Sequence, residues 1–261
     1  MKKTLFVIIL LILPSLIPNL IFGTSTKIED NQWTMFCKDG HHTNVAYSFL
    51  PLSEPLKDWD LNVSLSSSSA TIGNFTSNVA SKTDLSLGIV YADAGKVSIL
   101  DKNGKKMWEL NLGIGIRATP SLADLNGNGL LDIVVATANG NISLYEPRIG
   151  YSSNGYTWDT NNLVNERVWF YSTNSEILHS SPLFADLSSD GIEDVVIGAG
   201  DKLFAINGMF GTHLWNFSVQ GNITTSPALY EFGTTQIRIV ITSFDFQLKK
   251  MHTYMINDKG N

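Results

Sequence analysis

Two nine-residue stretches place oxygen-bearing side chains where a hard cation could collect them. Asp124-Leu125-Asn126-Gly127-Asn128-Gly129-Leu130-Leu131-Asp132 carries Asp124, Asn126, Asn128 and Asp132 at positions 1, 3, 5 and 9. Asp186-Leu187-Ser188-Ser189-Asp190-Gly191-Ile192-Glu193-Asp194 carries Asp186, Ser188, Asp190 and Asp194 at the same four positions. Calcium takes six to eight oxygen ligands, and alternate residues of a tight loop can turn inward together. Gly129 and Gly191 stand at position 6, where the chain must turn sharply and a positive φ is expected. The carbonyls of Leu130 and Ile192 would add a ligand from position 7. An EF-hand would need Glu at position 12, but Val135 and Ile197 stand there, so each loop runs into a strand. The competing reading is a pair of Asx-rich turns without an ion. The expectation taken forward is two structural Ca²⁺ loops.

The elements that hold these loops repeat. An apolar-x-small-Ser/Thr-Pro phrase runs Ile116 to Asp124, returns as Leu178 to Asp186 and again as Ile223 to Glu231, with a worn copy at Thr71 to Phe75. Each copy leads to a β-branched run: Gly88–Tyr91, Asp132–Ala136, Asp194–Gly198 and Ile239–Thr242. Such runs between Gly and Asn read as buried strands. A turn and an alternating strand follow at Lys96–Leu100, Asn141–Tyr145, Lys202–Ile206 and Met251–Ile256. Gly-bearing turns then precede Trp108 and Trp215, and Trp169 takes this part in the second unit after an insertion around residues 147–165. Four strands per unit of about 45–60 residues is the period of a propeller blade. The expected fold is all-β, a partial β-propeller of about three to four four-stranded blades. Residues 1–25 are expected to be a signal peptide or membrane anchor, 26–50 a lead-in, 51–69 a linker and 70–261 the repeats, truncated at the C-terminus. The fourth unit reaches Asn261 in the turn where the others continue to Trp, so another chain could complete the ring.

The composition agrees. Of 261 residues, 43% are hydrophobic and 16% charged, which is globular. A net charge of −6 argues against nucleic acid as a partner, because phosphate binding needs a dense Lys/Arg surface. Lys2 and Lys3 followed by the apolar run Leu5–Phe22 and small residues Gly23 to Ser25 read as an export signal, with an uncleaved anchor as the alternative. Five Asn-x-Ser/Thr sequons, at Asn62, Asn74, Asn141, Asn216 and Asn222, fit an extracytoplasmic chain. A single cysteine, Cys37, rules out an internal disulfide.

The Asp124–Asp132 and Asp186–Asp194 loops, each after an apolar-Ala-Asp phrase, resemble the FG-GAP repeats of integrin-α-like propellers. The Gly-turn-Trp phrases ending at Trp108 and Trp215 resemble pyrroloquinoline-quinone-like repeats. Trp33-Thr34-Met35-Phe36 with His41-His42-Thr43 resembles the opening common before such repeats in exported prokaryotic proteins. The resemblance implies a propeller used for adhesion, surface display or assembly and, in longer chains, quinone-dependent dehydrogenation. No pyrroloquinoline quinone is expected here, because the chain is short for a complete ring and lacks an adjacent cysteine pair. No nucleophile elbow, phosphate loop or zinc helix is present in the sequence. His179 varies to Arg117 and Thr224 between repeats, which suggests exposure. The functional expectation is a non-catalytic, extracytoplasmic binding or scaffold module, secreted or at the cell surface, whose ligand is a protein or glycan or whose partner chain completes the propeller. The alternatives are a calcium-dependent carbohydrate-active enzyme and a gene fragment without function.

Overall fold

A computed structural model describes residues 59–61, 68–75, 87–147, 149–152, 155–158, 167–232 and 236–261, all within one of two compact units. The expectations for residues 1–50, including the export signal, Trp33–Phe36, Cys37 and His41-His42, lie outside them. Among the described residues no helix is long and apolar enough to cross a membrane.

Four four-stranded antiparallel sheets follow one another along the chain. The first is β1 (Thr71–Asn74), β2 (Leu87–Asp93), β3 (Lys96–Leu100) and β4 (Lys106–Asn111) in sequential order. The second is β5 (Ser121–Ala123), β6 (Asp132–Ala136), β7 (Asn141–Tyr145) and β10 (Arg167–Ser172), interrupted by the hairpin β8 (Ile149–Ser152) and β9 (Gly155–Trp158). That hairpin fills the insertion read from the sequence. The third is β11 (Leu183–Ala185), β12 (Asp194–Ala199), β13 (Lys202–Ile206) and β14 (His213–Ser218). In the fourth, β15 (Asn222–Ile223) and β16 (Ala228–Phe232) share one edge of β17 (Gln236–Asp245), and β18 (Lys250–Asn257) takes the other. The chain is all-β with the blades of a partial propeller.

Alternation of side chains along each strand gives every blade two apolar faces, and the faces stack. One face carries a register pair beginning with valine: Val90–Ile99, Val134–Leu144, Val196–Ala205 and Val240–Met255. The opposite face carries Ile89–Leu100, Ile133–Tyr145, Val195–Ile206 and Ile239–Ile256. Val90, Ala92, Val97 and Ile99 of the first blade share a core with Leu122, Ile133, Val135 and Tyr145 of the second. Val134 and Leu144 of the second, Val195 and Val196 of the third, and Ile239, Ile241 and Ile256 of the fourth share a larger one. The valine face of one blade thus packs on the isoleucine face of the next.

Two sets of hydrogen bonds lock this stacking. At the inner strands, the Ser/Thr of each Pro phrase binds the next: the Ser69 N–H donates to Thr119 Oγ1 (3.0 Å), the Thr119 N–H to Ser181 Oγ (2.9 Å) and the Ser181 N–H to Ser226 Oγ (3.0 Å). Thr71 Oγ1 and Ser121 Oγ donate to the carbonyls of Pro120 and Pro182 in the following phrases, both at 3.1 Å. At the outer strands, Trp169 Nε1 donates to the Gly208 carbonyl (2.6 Å) and Trp215 Nε1 to the Asp258 carbonyl (2.8 Å), each reaching the Gly turn of the next blade. Gly211 (φ +67°) and Gly260 (φ +79°) are seated against those indole rings, where a Cβ would come within 2.6 and 2.8 Å of ring carbon. Glycine is required there for both the left-handed backbone and the ring contact.

Candidate functional site

The two Asp loops occupy the same place in successive blades, between the innermost strand and the one beside it (β5 to β6, β11 to β12). Their backbones match. Gly127 and Ser189 at position 4 have φ of +72° and +61°, and Gly129 and Gly191 at position 6 have +81° and +87°, as expected for position 6. The left-handed turns aim successive N–H groups at the first carboxylate. Asp124 accepts from the Asn128 N–H at Oδ1 (3.1 Å) and the Gly129 N–H at Oδ2 (2.7 Å). Asp186 accepts from the Asp190 N–H at Oδ1 (3.1 Å) and the Gly191 N–H at Oδ2 (3.0 Å). Position 5 closes the turn: the Leu130 N–H donates to Asn128 Oδ1 (2.7 Å) and the Ile192 N–H to Asp190 Oδ1 (2.8 Å).

The ninth residues behave differently from the rest. Asp132 and Asp194 are fully buried, whereas positions 5 and 6 of both loops are exposed. Asp132 Oδ2 accepts from the Leu125 N–H (3.0 Å), and Asn126 Nδ2 donates to its Oδ1 (3.3 Å). Burial pushes the Asp132 carboxyl up to about 7, helped by the charges of Glu146 and Asp124 and opposed by the Leu125 N–H. Asp194 Oδ2 accepts from the N–H groups of Leu187 (2.9 Å) and Ser188 (2.8 Å). Its Oδ1 accepts from Asn207 Nδ2 (3.3 Å) and the Gly208 N–H (3.1 Å). Burial raises its pKa, and these donors oppose the rise. Asp194 therefore ties its loop to the turn on which Trp169 is seated, a role the nine-residue spacing gives no hint of.

In loop 1 the oxygens of Asp124 and Asn126 share the Asn128 N–H, and Asn126 also reaches Asp132. The side chains of positions 1, 3, 5 and 9 are gathered around one turn, and hard oxygen donors suit Ca²⁺. In loop 2 Asp186 and Asp190 are joined through the Asp190 N–H, and Asp194 closes the base of the loop. Among the described residues no three His, Cys, Asp or Glu side chains converge as a metal-holding group. Any ion would have to draw on the Asn, Ser and carbonyl oxygens as well.

At the opposite ends of the strands lies an open hollow of about 440 Å³ lined by Ile114, Ala138, Asn139, Asn174, Ser175 and Glu176. Glu176 also accepts from Arg117 (2.8 Å), which spans two inter-blade crossings. His179 is exposed, as its variation between repeats suggests. Two features escaped the sequence reading: the inter-blade use of Thr119, Ser181 and Ser226, and Trp59. Trp59 Nε1 donates to the Lys102 carbonyl (2.8 Å), and its ring is seated on Gly104 as Trp169 is on Gly211. The signal was present: Trp59-Asp60-Leu61-Asn62 parallels Trp108-Glu109-Leu110-Asn111.

No protein-family model matches the chain, and no curated protein matches it. Solved structures do. The quinohemoprotein alcohol dehydrogenase ADHIIG from Pseudomonas putida HK5 is 12% identical with a TM-score of 0.50, over 82% of this chain and 34% of its own. BamB from Moraxella catarrhalis is 17% identical with a TM-score of 0.38, over 66% and 46%. A europium-containing methanol dehydrogenase is 14% identical with a TM-score of 0.45, over 68% and 39%. The chain spans less than half the length of each. The likeness to the alcohol dehydrogenase is one of fold. It corrects one expectation: the reading of this chain as not an enzyme does not stand, because its blades superpose on those of a dehydrogenase. Fold and function are separable, so the blades do not exclude catalysis.

Proposed function

We propose that this chain is an extracytoplasmic propeller module that binds a protein or glycan ligand and is stiffened by two calcium loops of the FG-GAP kind. The observation that carries the reading is the recurrence of one Asx-loop geometry around the first carboxylate, at the same place in two blades. Asp124, Asn126, Asn128, Asp132 and the Leu130 carbonyl would hold one ion. Asp186, Ser188, Asp190, Asp194 and the Ile192 carbonyl would hold the other. The ion supplies charge neutralisation at a place where the loops otherwise crowd carboxylates together. The chain's own part is to pre-curl each loop, which lowers the ordering cost of binding. The Lys2-Lys3 start, the Leu5–Phe22 run and the sequons support an extracytoplasmic site, where calcium is abundant. On the other rim, amide, hydroxyl and carboxylate groups of Asn139, Asn174, Ser175 and Glu176 suit hydroxyl-rich or polar peptide ligands.

The test is thermal unfolding with calcium and with chelator. Calcium binds the folded loops far better than the unfolded chain, so Tm should rise with calcium by mass action. Asp186→Ala or Asp190→Ala should remove much of that rise. Identical melts in calcium and in chelator would reject the calcium reading. Glycan-array and pull-down binding, compared with Asn139→Ala/Glu176→Ala, tests the ligand face.

A further inference from the structure

The central hairpin of the fourth blade is built higher than its counterparts. In every blade the pairs between the two central strands can be followed from the shared valine rung towards the turn. In the first and third blades three pairs follow Val90–Ile99 and Val196–Ala205, ending at Asp93–Lys96 and Ala199–Lys202. In the second blade two follow Val134–Leu144, ending at Ala136–Ile142. In the fourth, five follow Val240–Met255, ending at Asp245–Lys250. The added pairs, Phe244–Met251 and Asp245–Lys250, lift the turn by about 7 Å at ~3.3 Å per residue. The lift belongs to the hairpin's own ladder, whatever stacks on either face of the blade.

The raised turn also differs in chemistry. The other three turns, Ala94-Gly95, Thr137 to Gly140 and Gly200-Asp201, carry no large apolar side chain. The turn from Phe246 to Lys249 carries Phe246 at 61% and Leu248 at 54% exposure, with Met251 at 70% on the first added rung. The tip is ordered by its own contacts. Phe246 stands edge-on to Phe244 with centroids 4.8 Å apart, and Asp245 Oδ1 accepts from the N–H groups of Gln247 and Leu248, both at 2.9 Å. Lys249 and Lys250 are both exposed, and no ion pair among the described residues engages either. Lys249 holds φ +52°, a left-handed conformation that glycine or asparagine takes more readily, yet a cation stands there. A chain of net charge −6 thus presents three large apolar side chains beside two cations at one protruding point.

We propose that this hairpin docks on an anionic lipid bilayer, with Phe246, Leu248 and Met251 entering the boundary between headgroups and acyl chains and Lys249 and Lys250 pairing with lipid phosphates. A bilayer accepts apolar and cationic groups at adjoining depths: apolar side chains sink about 5–10 Å into the boundary, while lysines keep their ammonium groups at the phosphates. A narrow tip offers little of the area a stable protein interface needs, whereas inserted apolar surface and local positive charge are what a lipid surface recognises. The extra height serves the same end, because it carries the tip to the acyl boundary ahead of the lower turns of the other blades.

The experiment uses the full chain in a Cys37→Ser background, with Gln247→Cys labelled by the polarity-sensitive dye NBD. Asp201→Cys, at the matching turn of the third blade, is the reference site, and both positions are exposed. With vesicles of phosphatidylcholine and phosphatidylglycerol, in chelator, emission at 247 should rise, shift to the blue and be quenched by lipids brominated on their acyl chains. Emission at 201 should stay as it is in buffer. Phe246→Asp with Leu248→Asp should raise the lipid concentration needed for the shift about tenfold or more, and Lys249→Glu with Lys250→Glu about tenfold. All four side chains are exposed, so both double variants should keep their far-ultraviolet circular dichroism. Emission at 247 that ignores vesicles overturns the proposal and leaves the hairpin to a protein partner. An equal response at 201, or an equal response to phosphatidylcholine alone, overturns it as well. Reading the signal from the tip keeps the answer separate from any membrane attachment through Leu5–Phe22, and the chelator keeps it separate from the calcium loops.

Discussion

Asp132 shows how one residue's surroundings set its chemistry. Its carboxyl is held at about 7 against an ordinary value of 3.8, chiefly by burial. Below pH 4 it is protonated in both folded and unfolded chains. Between pH 4 and 7 the folded chain retains a proton that the unfolded chain has lost, so stability falls as pH rises through that window and levels off above it. The loss is on the order of a few kcal/mol if Asp132 is the sole contributor. Melts in chelator should therefore decline from pH 4 to 7, and Asp132→Asn should flatten that decline relative to the unsubstituted chain. Calcium would keep Asp132 ionised, so its affinity should rise with pH over the same window. Ser189 gives a second prediction. It holds φ +61° where the sister loop has Gly127, a conformation that costs a side chain about 1 kcal/mol. Ser189→Gly should raise stability by up to about that amount in denaturant titration.

At the scale of elements, the blades are joined by contacts a strand pattern does not announce. Ser226→Ala leaves the buried Ser181 N–H without its acceptor and should cost about 1–3 kcal/mol, far more than an exposed Ser→Ala elsewhere. Trp169→Ala removes a buried indole and its bond to Gly208, and should cost about 3–5 kcal/mol in equilibrium unfolding. Gly211→Ala drives a methyl into the same ring while forcing a left-handed Ala, and should be comparably damaging. Asp194 belongs with these. By accepting from Leu187, Ser188, Asn207 and Gly208 it couples the Asp loop to the turn under Trp169. A change in the loop is thereby passed to the seam between the second and third blades. The exposed pairs Lys106–Glu109 and Arg117–Glu176 add little to stability, because water screens them.

For the molecule as a whole, stability is a sum of blades and seams, not the property of one closed core. The three internal seams bury the valine faces completely, so their amides should exchange most slowly.

The sequence by itself determined the strands and their count per blade. The runs at Lys96–Leu100, Asp132–Ala136, Asn141–Tyr145 and Lys202–Ile206 are strands of those same bounds. It also determined the loop turns, because Gly at position 6 answers a local steric demand. These are properties of neighbours along the chain, and periodicity and glycine placement report them directly. Only the tertiary structure decided what the repeated Ser/Thr-Pro and Trp positions are for. The Thr119–Ser181 bond joins residues 62 positions apart and the Trp169–Gly208 bond residues 39 apart. Asp194 shows the same divide: its spacing marks it as a cation ligand, and only the fold brings donors from two different segments to its oxygens as well. A one-dimensional pattern can count how often such a residue recurs. It carries no record of which partner the stacking of blades will bring against it.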